Sequence, residues 1–385
     1  MRRIGVVSVG RSDFGLYRPL LNRLKIEPSV DLRLFVSGSH LDRRHGHTID
    51  EIQTAGFKDL IRVPVLEAKD SPEAIGQSMG RAVLGFSRAL ARWRPDILVV
   101  LGDRFEMHAA ALAALPHTIP VAHIHGGEIT EGAIDDALRH SLTKLSHLHF
   151  PSTSAYVQRI RQLGEEPWRI RLVGAIGLDN LSQVAIPGAL ELARRLGRTL
   201  PEGFILATYH PVTLEHADTA RQIDALLGAL DRFGRPVLFT APNADTQRHI
   251  IDQRIKRYVS RHGSCVYISN LGTENYFGAM AAAVAMVGNS SSGIIEAASF
   301  KLPVVNIGAR QAGRVRPASV IDCACETGSI ERALRKAISA VYKRICTNIR
   351  NPYDQGGASE RIAERLLDVD IDSGKLLRKR FCDLT

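Results

Sequence analysis

The sequence predicts an α/β protein built from two doubly wound parallel-sheet domains. Three observations lead there. At 385 residues the chain exceeds what one hydrophobic core usually supports. Short uninterrupted runs of Val, Ile and Leu, the mark of strands covered on both faces, alternate with amphipathic stretches of helical period. That alternation occurs twice, once on each side of a stretch holding Gly174, Gly177, Pro187 and Gly188.

In the first half, strands are expected at 4–9, 32–36, 61–65, 97–101, 121–124 and 148–150, with helices at 16–24, 71–93, 107–115 and 134–145. In the second half, strands are expected at 204–208, 237–240, 266–268, 284–287 and 304–306, with helices at 219–231, 246–260, 274–283 and 292–300. The expected boundaries are a domain at 1–175, a linker at 176–187, a domain at 188–368 and a peripheral tail at 369–385. Ligands of open α/β sheets bind beyond the C-terminal ends of the strands, so functional residues should follow strands and line a cleft between the domains.

Composition narrows the function classes. An apolar fraction of 45% and a charged fraction of 23% are those of a globular protein. No apolar run reaches the ~18 residues of a membrane span. Met1-Arg2-Arg3 leads into an apolar run broken by Arg11 and Asp13, too short for a secretion signal, so a cytoplasmic location is expected. The five cysteines include no CxxC pair and are expected as reduced thiols. The net charge of +10 is carried by scattered arginines with only 6% aromatic residues, which suits an anionic small molecule better than nucleic acid.

Five motifs follow predicted strands. Gly10-Arg11-Ser12-Asp13-Phe14-Gly15 opens a helix, where free amides favour an anion, and Asp13 can cap that helix. Gly102-Asp103-Arg104-Phe105-Glu106 sets a carboxylate and a guanidinium at a strand end, where burial would be costly without a partner. His123-Ile124-His125-Gly126-Gly127-Glu128 precedes Asp135, Asp136, Arg139 and His140. The two imidazoles alternate on a strand and so face opposite sides, which argues for one structural histidine and against a metal site. His210 follows the strand at 204–208. Last, Gly288-Asn289-Ser290-Ser291-Ser292-Gly293 places three hydroxyls at a helix start, a phosphate cradle without a lysine, and Glu296 comes one turn later.

In this order, GRSDFG, GDRFE, HIHGGE with IDDALRH, YHPVT, GNSSSGIIEA and NIGARQAGR resemble the hydrolysing UDP-N-acetylglucosamine 2-epimerases of sialic-acid-type biosynthesis. The similarity runs from about Gly5 to the NPYDQGGASERI stretch at 351–362. The resemblance implies a GT-B architecture of two Rossmann-like domains, no cofactor, and a homodimer or homotetramer. It implies conversion of UDP-GlcNAc, or of a related UDP- or GDP-linked 2-acetamido sugar such as a 2,4-diacetamido-2,4,6-trideoxyglucose, to a free manno-configured sugar. The route is anti elimination to a glycal followed by hydration, and the product supplies sialic or legionaminic acids.

By the same analogy Arg11, His210, Asn243, Ser290, Ser291, Glu296 and Arg310 hold the nucleotide. His210 and Arg104 neutralise the departing diphosphate, and Asp103 and Asp135 do acid/base work on the sugar. Relatives with HIE at 123–125 carry a catalytic carboxylate where this chain has His125, which leaves His125, Glu128 or neither to replace it; both are carried as catalytic candidates, with Glu128 the one named. The GRSD opening differs from the GTRPE of non-hydrolysing epimerases. The alternatives are a non-hydrolysing UDP-GlcNAc 2-epimerase and a GT-B glycosyltransferase, the latter disfavoured by the carboxylate-rich GDRFE and IDDALRH segments.

Overall fold

The computed structural model describes residues 1–383 except 46, 70, 132–133 and 243–246. The chain forms two compact units. The first comprises Met1–Glu128, Asp135–Asn180 and Gln355–Thr385, and the second Ile129–Ile134 and Leu181–Asp354.

The first unit holds β1 (Arg2–Ser8), β2 (Val30–Ser37), β3 (Leu60–Val63), β4 (Ile97–Leu101), β5 (Val121–Ile124) and β6 (Leu148–Phe150). They lie in the order β3-β2-β1-β4-β5-β6, every pair parallel. β4, β5 and β6 are buried along their whole length, as their unbroken apolar character requires. Helices flank the sheet. That at Pro72–Arg92 starts where Ser71 accepts the Ala74 amide and Pro72 presets the first turn.

The second unit holds β7 (Ile205–Thr208), β8 (Val237–Thr240), β9 (Val266–Ile268), β10 (Ala285–Gly288), β11 (Val304–Ile307) and β12 (Val320–Cys323). Its parallel order β9-β8-β7-β10-β11-β12 repeats that of the first sheet strand for strand. In each sheet the order reverses beside the first strand, between β1 and β4 and between β7 and β10. Loops leaving neighbouring strands there run in opposite directions and open a crevice at the strand ends.

Three expectations need correction. β12 is an added strand; half-exposed at the sheet edge, it lacks the unbroken apolar run that marked the others. The helix expected at 292–300 is α-helical only over Ser291–Ile295 and tightens to a 3-10 turn over Ala297–Phe300. The boundary at 368 and the peripheral tail also differ from the structure, because the helix Ala358–Asp368 completes the first core through Ile362, Ala363 and Leu366. Asp179, inside the expected linker, accepts the Ala358 amide at 3.1 Å and caps that helix. Beyond it, buried Arg169 donates to the carbonyls of Lys375, Leu376 and Arg378. Lys379 reaches Glu165 at 2.8 Å, beside Lys144 at 2.6 Å and His149 at 2.9 Å. Among the described residues no helix is long and apolar enough to cross a membrane.

Removing one cation from a buried carboxylate leaves charge uncompensated. Lys379→Met should therefore lower unfolding stability by about 3 kcal/mol in urea titration. Lys144→Met, at a more exposed nitrogen, should lower it less.

Candidate active site

In the first unit, β5 delivers two histidines with different fates. His123 is fully buried, and its Nε2–H donates to the Gly102 carbonyl at 2.8 Å. Burial pushes its pKa down to about 3, so it is neutral. It pins the turn in which Gly102, at φ +73°, presents Asp103. His123 is thus the structural histidine.

His125 takes the left-handed conformation at φ +63°, unusual for a residue with a side chain. Gly127 follows at φ +77°, where a Cβ would lie 2.7 Å from the Tyr156 carbonyl oxygen. The Ile176 amide donates to His125 Nε2 at 3.3 Å, which leaves Nδ1 to carry the hydrogen toward Glu128 Oε1, also at 3.3 Å.

Glu128 is 1% exposed and accepts from Ser152 at 3.0 Å and from Arg139 at 3.2 Å. Expected as a catalytic carboxylate, it is turned inward, where it orients His125 and Arg139. Arg139 lies one helical turn after Asp135 on the helix Asp135–Leu145. It also donates to the His125 carbonyl at 3.3 Å and to Asp103 Oδ2. Asp103, with 22% of its side chain exposed, is the member of this cluster open to solvent. Asp135 is also partly exposed.

At the β1–β4 reversal, Asp13 accepts the Val9 amide at 3.2 Å and so ties down the start of the helix Arg11–Lys25. Arg11 opens that helix; burial lowers its pKa and Glu51 opposes. Arg104 lies with its Nε 3.4 Å from the Glu106 carboxylate.

In the second unit the β7–β10 reversal is closed by a reciprocal pair. The His210 amide donates to Asn289 Oδ1 at 2.7 Å, and Asn289 Nδ2 donates back to the His210 carbonyl at 2.8 Å. Arg310 and Gln311 both donate to the Asn289 carbonyl, at 3.1 and 3.0 Å. Gly288 allows this closure, since a Cβ there would fall 1.8 Å from the Thr208 carbonyl oxygen. Burial, and then Arg310, holds the His210 pKa well below its ordinary value. Ser290 accepts the Ser292 amide at 3.3 Å, and burial raises the Tyr276 pKa to about 12, with Ser292, Thr208 and Ser290 pulling it down. Ser291 begins the short helix and Glu296 ends it. Asn243 lies outside the described residues.

The structure thus groups Asp103, His125 and Glu128 in one unit, and His210, Ser290 and Arg310 in the other. Sequence reasoning missed Arg139 and Asn289 as organisers. The i, i+4 spacing of Asp135 and Arg139 was the available signal for the first.

These are features of a nucleotide-sugar enzyme on the doubly wound fold. The sequence profile of the UDP-N-acetylglucosamine 2-epimerase family matches residues 22–367. The chain is 37% identical, over 100% of its length and 99% of the relative's, to the GDP/UDP-N,N'-diacetylbacillosamine 2-epimerase (hydrolyzing) of Campylobacter jejuni. It is 36% identical to the UDP-N,N'-diacetylbacillosamine 2-epimerase (hydrolyzing) of Legionella pneumophila, over 97% of each chain. The crystal structure of the Neisseria meningitidis UDP-GlcNAc 2-epimerase bound to UDP-GlcNAc superposes with a TM-score of 0.81 at 19% identity, covering 96% of this chain and 100% of that one. The chain belongs to the UDP-N-acetylglucosamine 2-epimerase family and is an enzyme of its hydrolysing type.

One titration follows from the β1–β4 corner. Burial first, with Glu106 adding, pushes Asp13 up to about 6 against the pull of Arg104 and the Val9 amide. A raised carboxyl stabilises fully below its unfolded value near 4, and that contribution is lost as pH rises through 6. Between those values wild type should lose about 3 kcal/mol of stability relative to Asp13→Asn. Urea midpoints measured across this window check it.

Proposed function

We propose that the substrate is a UDP- or GDP-linked 2,4-diacetamido-2,4,6-trideoxyglucose, released as the free manno-configured sugar. The observation that carries this reading is the full-length identity to two hydrolysing epimerases whose names specify N,N'-diacetylbacillosamine. A cytoplasmic homo-oligomer supplying nonulosonic acids agrees with the composition and with the sequence resemblance.

The chemistry has two stages. The C2 proton passes to a carboxylate, the C2–H electron pair forms the C1–C2 double bond, and the C1–O pair leaves with the diphosphate. Water then adds its oxygen at C1 and gives up one proton to a carboxylate, while a proton returns to C2 from the opposite face. Asp103 and Asp135, two partly exposed carboxylates of the first unit, serve as the proton-transfer groups. Arg139 holds Asp103 in place. Arg104 meets the departing diphosphate. In the second unit, His210, Ser290, Ser291, Glu296 and Arg310 hold the nucleotide, with Asn289 fixing the His210 and Arg310 positions.

Purified enzyme incubated with the UDP- and GDP-linked diacetamido sugars and with UDP-GlcNAc should release nucleotide fastest from a diacetamido substrate, without an acceptor. In deuterated water NMR should find deuterium at C2 of the product. A C2 that keeps its hydrogen would overturn elimination, and a requirement for an acceptor would restore the glycosyltransferase alternative.

His210 supplies a second test. A diphosphate arriving beside a neutral imidazole favours its protonated form. UDP binding near pH 6.5 should therefore take up as much as about one proton, measured calorimetrically in buffers of different ionisation enthalpy. In His210→Asn the uptake should vanish.

A further inference from the structure

The corner between β1 and β4 encloses a carboxylate that the scheme above leaves without a role. Glu106, on the first turn of the helix Phe105–Ala114, is 0% exposed, and among the described residues neither of its carboxylate oxygens has a hydrogen bond. A charge placed so is unfavourable unless a cation lies beside it. A helix N-terminus does favour an acid, but an exposed side chain gains that without desolvation. Here the surroundings are shaped around the group. Gly38 sits at φ +56°, and a Cβ on it would lie 2.7 Å from Glu106 Oε1. Asp13, 8% exposed, occupies the same corner.

The cation beside Glu106 is Arg104, its Nε 3.4 Å from Oε2. Arg104 stands just before the helix in extended conformation, with 43% of its side chain exposed. One edge of the guanidinium is therefore held in an ion pair with a buried carboxylate while the side chain as a whole reaches solvent.

We propose that Glu106 is a positioning residue, gripping the Nε edge of Arg104 so that the guanidinium meets the departing diphosphate in one orientation. This rests on the reading of Arg104 as the group that faces the leaving diphosphate. A long arginine side chain loses much rotamer freedom when it is held. Ordering it during folding removes that loss from the reaction itself. The carboxylate itself is fully buried, so its position is fixed by the fold.

The test is a cycle of Glu106→Gln, Arg104→Gln and the double variant, with kcat, KM and urea unfolding measured for each. Glu106→Gln keeps the volume and removes the buried charge, so unfolding should be unchanged or improved. Its kcat should fall about 10- to 100-fold, with KM within about threefold of wild type. The double variant should be no slower than Arg104→Gln alone. If Arg104→Gln is slow while Glu106→Gln turns over like wild type, the inference fails and the reading of Arg104 stands. Losses that multiply in the double variant also overturn it, since Glu106 would then act independently of Arg104. Wild-type kcat in Arg104→Gln overturns the reading of Arg104 and the inference with it. Should Glu106→Gln not fold, Glu106→Met, of similar volume, enters the same cycle with the same deciding outcomes.

Discussion

The first unit depends on one buried guanidinium. Arg139 is 2% exposed, yet it joins the loop after β4, through Asp103, to the turn after β5, through Glu128 and the His125 carbonyl. Planar and always charged, it presents several donors in a fixed fork, which lysine could not reproduce. The left-handed His125 and the inward Glu128 each carry an energetic cost, and both are arranged around this fork. The position of Asp103 follows from it, with His123 holding the preceding glycine from the other side.

The two sheets share one strand order and surround its reversal with different groups. Around the first reversal the groups are ionic: Asp13, Arg104 and Glu106, with the Arg139 cluster one strand further on. Around the second they are mostly neutral donors and acceptors, namely Asn289, the serines, Tyr276 and an imidazole kept uncharged by burial. The crevice is a property of the topology, and its side chains decide the use.

Much of this was legible in the sequence because fully covered parallel strands are unbroken apolar runs. β4, β5, β6 and β8 fall where the sequence places them, to the residue. The motifs after β1, β4, β7 and β10 were visible for the same reason. β12 escaped because an edge strand is only half covered. Arg139 was named among the residues after HIHGGE but given no role, since burial of a charged residue leaves no local pattern. The last segment was misjudged most: Arg169 binds it through main-chain carbonyls, and such contacts are independent of the side chains a sequence displays.

The helix Ala358–Asp368 has a consequence for biosynthesis. A ribosome releases the chain from its N-terminus, so every residue of the second unit is available once Asp354 has emerged. The first unit, begun at Met1, still lacks the helix whose Ile362, Ala363 and Leu366 enter its core. Asp179 waits about as many residues again for the amides it caps. The unit that starts first thus finishes last. During that interval the part of its core that Ile362, Ala363 and Leu366 cover is left open, and exposed apolar surface of that kind is where incompletely folded chains aggregate.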